Sequence, residues 1–203
     1  RWRVYAAFSD DGGATWRYGE VPPGSLVTNA QRKVESQVNE VQLIERADGS
    51  LLLNTRSQTG PRMRRQAIST DGGATWGPVR PVPELFDAPC MASILALDAG
   101  RLLVFSGPTQ GRRADGRLFL SRDGGDMWEP GATLQPGPFA YSCLAELKDG
   151  ALGCLYETGK QGCYERIDFA RFDRAWTTAV VTRIRVACIG DSITDGLGIA
   201  DRA

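Results

Sequence analysis

The chain has 203 residues, and its 24 Lys and Arg balance 24 Asp and Glu, so charge gives no indication of a nucleic-acid partner. Its 24 glycines and 11 prolines punctuate many short apolar runs with no sustained helical period, which excludes a helical bundle and points to an all-β chain. No stretch approaches the roughly 20 apolar residues of a membrane-spanning helix, and histidine is absent.

In chain order, Arg3–Phe8 predicts a strand that feeds the phrase Ser9-Asp10-Asp11-Gly12-Gly13-Ala14-Thr15-Trp16. Then come strands over Val41–Glu45 and Leu51–Arg56 around an Asp48-Gly49 turn, a strand over Arg65–Ser69, a second phrase Ser69-Thr70-Asp71-Gly72-Gly73-Ala74-Thr75-Trp76, and a strand over Val79–Val82. The next unit runs from Ala92 through an Asp98-Ala99-Gly100 turn, Leu102–Ser106 and Leu118–Ser121 to Ser121-Arg122-Asp123-Gly124-Gly125-Asp126-Met127-Trp128. A last unit runs from about Tyr141 to Trp176 around an Asp149-Gly150 turn and has no such phrase. The three phrases, called boxes below, start 60 and 52 residues apart, and self-similarity at that period signals an array of small sheets. Each box reads as a turn in which Asp accepts backbone N–H groups, glycines take positive φ and Trp covers the hairpin base. Asp-Gly between apolar runs is a hairpin signal. Four short antiparallel strands per repeat make one propeller blade, and the unit before the first full blade lacks its first half.

This topology sorts the charges. With hairpin turns and boxes at one rim, Glu40 and Arg56 lie nearly equidistant from the turn at 48–49, and Tyr141 and Glu157 repeat the relation around 149–150. Arg113 falls just before a third strand, so all five project towards the rim opposite the boxes. A lone cross-strand Glu–Arg pair is ordinarily a solvated pair worth under about 1 kcal/mol, and a Tyr at a strand start is ordinarily a packing residue. Repetition on two blades, with an Arg from a third, predicts instead a cationic pocket that carries carboxylates. Cys90-Met91-Ala92-Ser93 opens a first strand at the same rim and either borders that pocket or packs in the core. Five cysteines, Cys90, Cys143, Cys154, Cys163 and Cys188, lack metal-like spacing and read mostly as buried thiols.

The boxes resemble the Asp-boxes, or bacterial neuraminidase repeats, of the exo-sialidases. The interval from Glu40 to Arg56, then Arg113, Tyr141 and Glu157 in that order, is similar to the same family from about Arg1 to Trp176. The resemblance implies a six-bladed propeller, of which about three to four blades are present, that removes terminal sialic acid from glycoconjugates with retention. Sialic acid carries a carboxylate at its anomeric carbon, which guanidinium forks can grip bidentately; Arg56 and Arg113 would be two members of a three-arginine clamp. A carboxylate nucleophile would be repelled by that group, and a neutral phenol would not; Tyr nucleophiles are the exception known in sialidases. Tyr141 would attack, Glu40 would take its proton and Glu157 would orient the clamp's first arginine, with no metal or organic cofactor required. The family's first clamp arginine and its acid/base aspartate belong to a segment ahead of Arg1, so residues 1–176 are expected to be the C-terminal part of the propeller and inactive by themselves. Sialylated glycans, glycoproteins or glycolipids are the expected partners. Localisation is not legible in the chain, and the resemblance suggests a secreted, periplasmic or cell-surface protein.

Beyond Trp176 the pattern changes. Arg183–Ile189 reads as a buried strand and Gly190-Asp191-Ser192-Ile193-Thr194-Asp195-Gly196 resembles the first block of the SGNH, or GDSL, hydrolases, with a polar turn as the plain alternative. Residues 177–203 are thus expected to hold a linker and the first strand of an α/β hydrolase-like domain, with Ser192 as its nucleophile. A histidine base would have to come from elsewhere. Two other functions stay open: a non-catalytic propeller that binds sialylated glycans, or an accessory propeller of an SGNH esterase that removes O-acetyl groups from sialic acid.

Overall fold

A computed structural model describes residues 4–22, 24–29, 32–36, 38–58, 62–178 and 185–188. Strands β1 (Tyr5–Phe8) and β2 (Arg17–Glu20) form a hairpin around the first box, and β3 (Gly24–Asn29) and β4 (Arg32–Ser36) form a second hairpin that the sequence did not announce. The first full blade is the antiparallel sheet β5 (Val38–Glu45), β6 (Leu51–Ser57), β7 (Met63–Ser69) and β8 (Arg80–Phe86). The second comprises β9 (Ser93–Leu97), β10 (Leu102–Gln110), β11 (Arg112–Ser121) and the first half of β12 (Glu129–Glu146). The third uses the second half of β12, then β13 (Leu152–Thr158), β14 (Arg166–Phe172) and β15 (Arg185–Cys188); a short 3₁₀ turn, Arg174–Thr178, follows β14.

The strand β12 is continuous through two blades. It pairs with β11 from Glu129 to Pro138 and with β13 from Phe139 to Glu146. The last unit, expected to run from about Tyr141, thus begins within a strand that it shares with the unit before it. Residues Arg185–Cys188, read from sequence as the opening of another domain, pair antiparallel with β14.

Three apolar clusters fill the spaces between adjacent sheets. Val4, Val21, Val38, Leu53 and Trp76 join the first hairpin to the first blade; Leu52, Leu85, Leu103, Phe105 and Trp128 join the first and second blades; Leu97, Leu118, Leu134, Phe139 and Tyr156 join the second and third. Inward-facing residues of facing sheets interdigitate, as stacked blades require.

The box turns close on their own side chains. In the second box, Ser69 Oγ accepts the Gly73 N–H at 2.9 Å and donates to Asp71, whose carboxylate accepts the Thr75 N–H at 2.9 Å and its hydroxyl at 2.5 Å. Trp76 Nε1 donates to Gly73 O at 3.1 Å. The first box repeats these bonds, and in both the Thr bonds hold the Asp carboxyl down at about 2. In the third box, Asp126 and Met127 stand where Ala and Thr stand in the others, and Asp123 accepts their backbone N–H groups instead. Trp76 and Trp128 are buried, whereas Trp16 is exposed.

Each of the two buried boxes also docks on the sheet before it. Gln66 Nε2 of the first blade donates to Gly125 O of the third box at 2.7 Å, and a Cβ on Gly125 would come 2.8 Å from Leu52. Backbone of the second box approaches Gly19 so closely that a Cβ there would lie 2.0 Å from Gly73 O. The boxes thus couple neighbouring blades, and they leave the opposite strand ends free for the site.

Candidate active site

Those opposite ends gather residues from three blades. Glu40 lies on β5, Arg56 one residue from the end of β6, Arg113 at the second position of β11, and Tyr141 and Glu157 on β12 and β13. Regular pairing alone does not account for the cluster, because both first strands are bulged where it forms. Asn39 pairs with Arg56 and Val41 with Thr55, so the register steps around Glu40, whose φ of 45° lies in the left-handed region. Phe139 pairs with Thr158 and Ser142 with Tyr156, which sets Ala140 and Tyr141 against Glu157. A bulge bends the strand and re-aims one side chain.

The result is a closed triangle. Tyr141 Oη donates to Glu40 Oε1 at 2.6 Å, Arg56 Nη1 donates to Glu40 Oε2 at 2.7 Å, and the same Nη1 lies 3.3 Å from Tyr141 Oη. Glu157 Oε2 accepts the Tyr141 backbone N–H at 3.2 Å, so among the bonds seen here it fixes the strand that carries the phenol. The Arg113 guanidinium lies 5.3 Å from the Tyr141 ring centroid and 5.6 Å from that of Tyr164, with Nη2 donating to Pro89 O at 2.7 Å and Nη1 to the Tyr164 hydroxyl. Tyr141 also packs against Ala88, Cys90 and Ala140, so Cys90 is buried beside the phenol.

Electrostatics divide the two titrating partners. Partial burial raises the Glu40 carboxyl, but hydrogen bonds from Arg56 and Tyr141 outweigh it and hold the group below its ordinary value. Partial burial, then the hydrogen bond to Glu40 and its charge, push the Tyr141 phenol above its ordinary value, against the pull of Arg56 and Arg113. The pair therefore rests as carboxylate and neutral phenol with the proton already aimed at its acceptor. Such an arrangement can generate a phenolate by proton transfer over one hydrogen bond, beside two fixed cations.

Four residues near the site carried no signal in the sequence. Asp87, Arg64 and Arg65 are each 1% exposed, beneath the cluster, and Tyr164 stands exposed at its edge. Arg64-Arg65 side by side in a strand alternate to both faces, so one of the pair must be enclosed; that is the only pattern that could have flagged them. Ser192 lies outside the described residues. Among the described residues, no group of three or more His, Cys, Asp or Glu is arranged to hold a metal ion.

The chain is 35% identical over 183 residues to a sialidase of Micromonospora viridifaciens, a match covering 86% of this chain and 26% of the relative. It is 31% identical to a sialidase of Bacteroides fragilis, covering 74% of this chain and 27% of that protein. The chain thus spans about a quarter of the length of these two curated relatives. The intramolecular trans-sialidase of Ruminococcus gnavus, solved in complex with oseltamivir carboxylate, superposes with a TM-score of 0.64 at 25% identity, covering 86% of this chain and 39% of that structure. Residues 1–154 match the BNR repeat-like domain. With repeats, blades and more than half of its length in agreement, the chain belongs to the BNR repeat-like domain family.

Proposed function

We propose that this chain is the C-terminal part of an exo-α-sialidase propeller, which hydrolyses terminal sialic acid from glycoconjugates with retention. The observation that carries the reading is the 2.6 Å bond from Tyr141 Oη to Glu40, with Arg56 touching both groups. In the first step, Tyr141 Oη attacks the anomeric carbon while its proton passes to Glu40 Oε1, and Arg56 and Arg113 hold the substrate carboxylate. The leaving oxygen takes a proton from an acid that is not among the residues described for this cluster. In the second step, the conjugate base of that acid takes a proton from the water that displaces Tyr141, Glu40 returns its proton to the phenol, and the sugar keeps its configuration. The sialidase relatives, and the carboxylate compound named with one of them, support an anionic sugar acid as substrate.

The decisive experiment is Tyr141→Phe in the intact protein. Removing the attacking oxygen should lower turnover of a sialoside by at least about 100-fold, with binding of free N-acetylneuraminic acid retained. Unchanged turnover refutes the nucleophile assignment, and binding without turnover in the unaltered protein would establish a glycan-binding propeller instead. For residues 177–203, of which Arg185–Cys188 pair with β14 of the third blade, we propose the opening of an SGNH hydrolase-like domain with Ser192 as nucleophile. Ser192→Ala should abolish acetate release from O-acetylated sialic acid in the intact protein, and release at the unaltered rate would refute the assignment.

A further inference from the structure

The connection between β8 and β9 holds one buried carboxylate whose bonds reach towards both arginines of the site. Asp87 Oδ2 accepts the backbone N–H of Ser57, the residue immediately after Arg56. Asp87 Oδ1 accepts the backbone N–H of Cys90 at 3.2 Å and lies 3.9 Å from Arg64 Nη1. Arg64 Nη1 in turn donates to Cys90 O at 2.8 Å, while its Nε donates to Asn54 Oδ1 on β6 at 2.8 Å. The Cys90 carbonyl is therefore held from the first blade by Arg64, and its N–H by Asp87 within the same connection. The preceding carbonyl, Pro89 O, is the one that receives Arg113 Nη2 from the second blade at 2.7 Å.

These bonds form an unbroken path between two guanidiniums that belong to different blades. It runs from Arg56 along one peptide to Ser57, across Asp87 to Cys90, back one residue to Pro89 and out to Arg113. From it we propose that Asp87 is a positioning residue that sets the spacing and aim of Arg56 and Arg113, and so the protein's discrimination for sugars bearing a carboxylate. The inference rests on the reading of the two arginines as a carboxylate grip. Residue type matters at position 87. Two backbone N–H groups and a guanidinium converge on it, and only an ionised carboxylate offers acceptors to all of them without presenting a donor. Asn would turn an NH₂ group towards one of the N–H groups and leave the wholly enclosed Arg64 without its counter-charge. Asp87 touches no reacting atom in this arrangement; it acts through the backbone that carries and receives the two arginines.

The test compares Asp87→Asn with Gln66→Ala in the intact protein. Gln66 is buried in the same blade and holds the third box through Gly125 O, so its truncation loosens the fold at the opposite rim. Each variant is assayed on a sialoside and on the methyl ester of the same sialoside, which keeps the sugar and removes the carboxylate charge. Asp87→Asn should raise KM for the sialoside by about tenfold and leave KM for the ester within about twofold, since a misplaced grip is felt only by the group it grips. Gln66→Ala, at whatever thermal destabilisation it causes, should leave the ratio of the two KM values unchanged. An equal rise for both substrates, or no rise, would overturn the proposal. A crystal structure of Asp87→Asn supplies a readout independent of turnover: the Pro89 O to Arg113 bond should be lost, and its retention at the original distance would also overturn the proposal. If the unaltered protein neither hydrolyses nor binds the sialoside, the reading of function fails, and the crystal comparison still decides whether Asp87 positions the arginines.

Discussion

Truncating Glu40 to Ala and to Gly removes the same carboxylate and leaves a difference of one Cβ. Both variants lose the ion pair with Arg56, whose side chain is 12% exposed against 31% for Glu40, so that loss cancels in the comparison. What remains is the backbone. At a φ of 45°, an L-residue carries a penalty of about 1–2 kcal/mol that glycine escapes. Glycine gives back about 0.5–1 kcal/mol through the greater freedom of its unfolded chain. Taken at the middle of the two ranges, Glu40→Gly should therefore be more stable than Glu40→Ala by about 0.75 kcal/mol, while both lose the proposed turnover. Urea unfolding followed by tryptophan fluorescence reads the difference as a shift in midpoint at constant slope. An Ala variant as stable as the Gly variant, or more so, would refute the claim that the bulge holds Glu40 in a strained conformation. The expected order means that the protein sustains local strain where the carboxylate is needed.

Ser69→Ala removes a buried hydroxyl that serves both Gly73 N–H and Asp71, and should cost about 1–2 kcal/mol in urea unfolding. The same change at the half-buried Ser9 should cost less than at Ser69, and equal costs would show that burial does not separate the boxes. Acid should destabilise the fold with a definite sign. The Glu40, Asp11 and Asp71 carboxyls are all depressed, so their contributions are complete above the unfolded carboxylate range and fade as pH falls through the folded values, near about 2 for Asp11 and Asp71. Asp71→Asn should flatten the urea-midpoint profile between pH 4 and pH 2, and an unchanged slope would contradict the assignment.

The blades were legible because their punctuation is local. Asp48-Gly49, Asp149-Gly150 and the three boxes each fold from side chains within a few residues, and strand pairing follows from the turns. That pairing was enough to bring Glu40 towards Arg56, and Tyr141 towards Glu157. The bulges were not legible, since an extra residue in a strand leaves no mark in composition; only the register shows Glu40 stepping out between Asn39 and Val41. Nor was it legible that the strand carrying Tyr141 begins in the preceding blade, where Pro138 lies opposite Ala114. Asp87 was invisible because the Ser57 N–H that it accepts lies on β6, distant in the chain, a contact that a sequence does not spell out.

The shared strand β12 has a consequence for how the molecule opens. In most stacked arrays each unit can fray while its neighbour stays shut, because only side chains cross the gap. Here one strand of eighteen residues pairs with β11 through its first half and with β13 through its second, so the second and third blades cannot exchange their protons as separate bodies. Amides of β10, β11 and β13 should show one common opening free energy in hydrogen exchange, with the β1–β2 hairpin opening independently at a lower one. Tyr141 sits just past the hinge of that beam, in the part of the chain that is last to breathe.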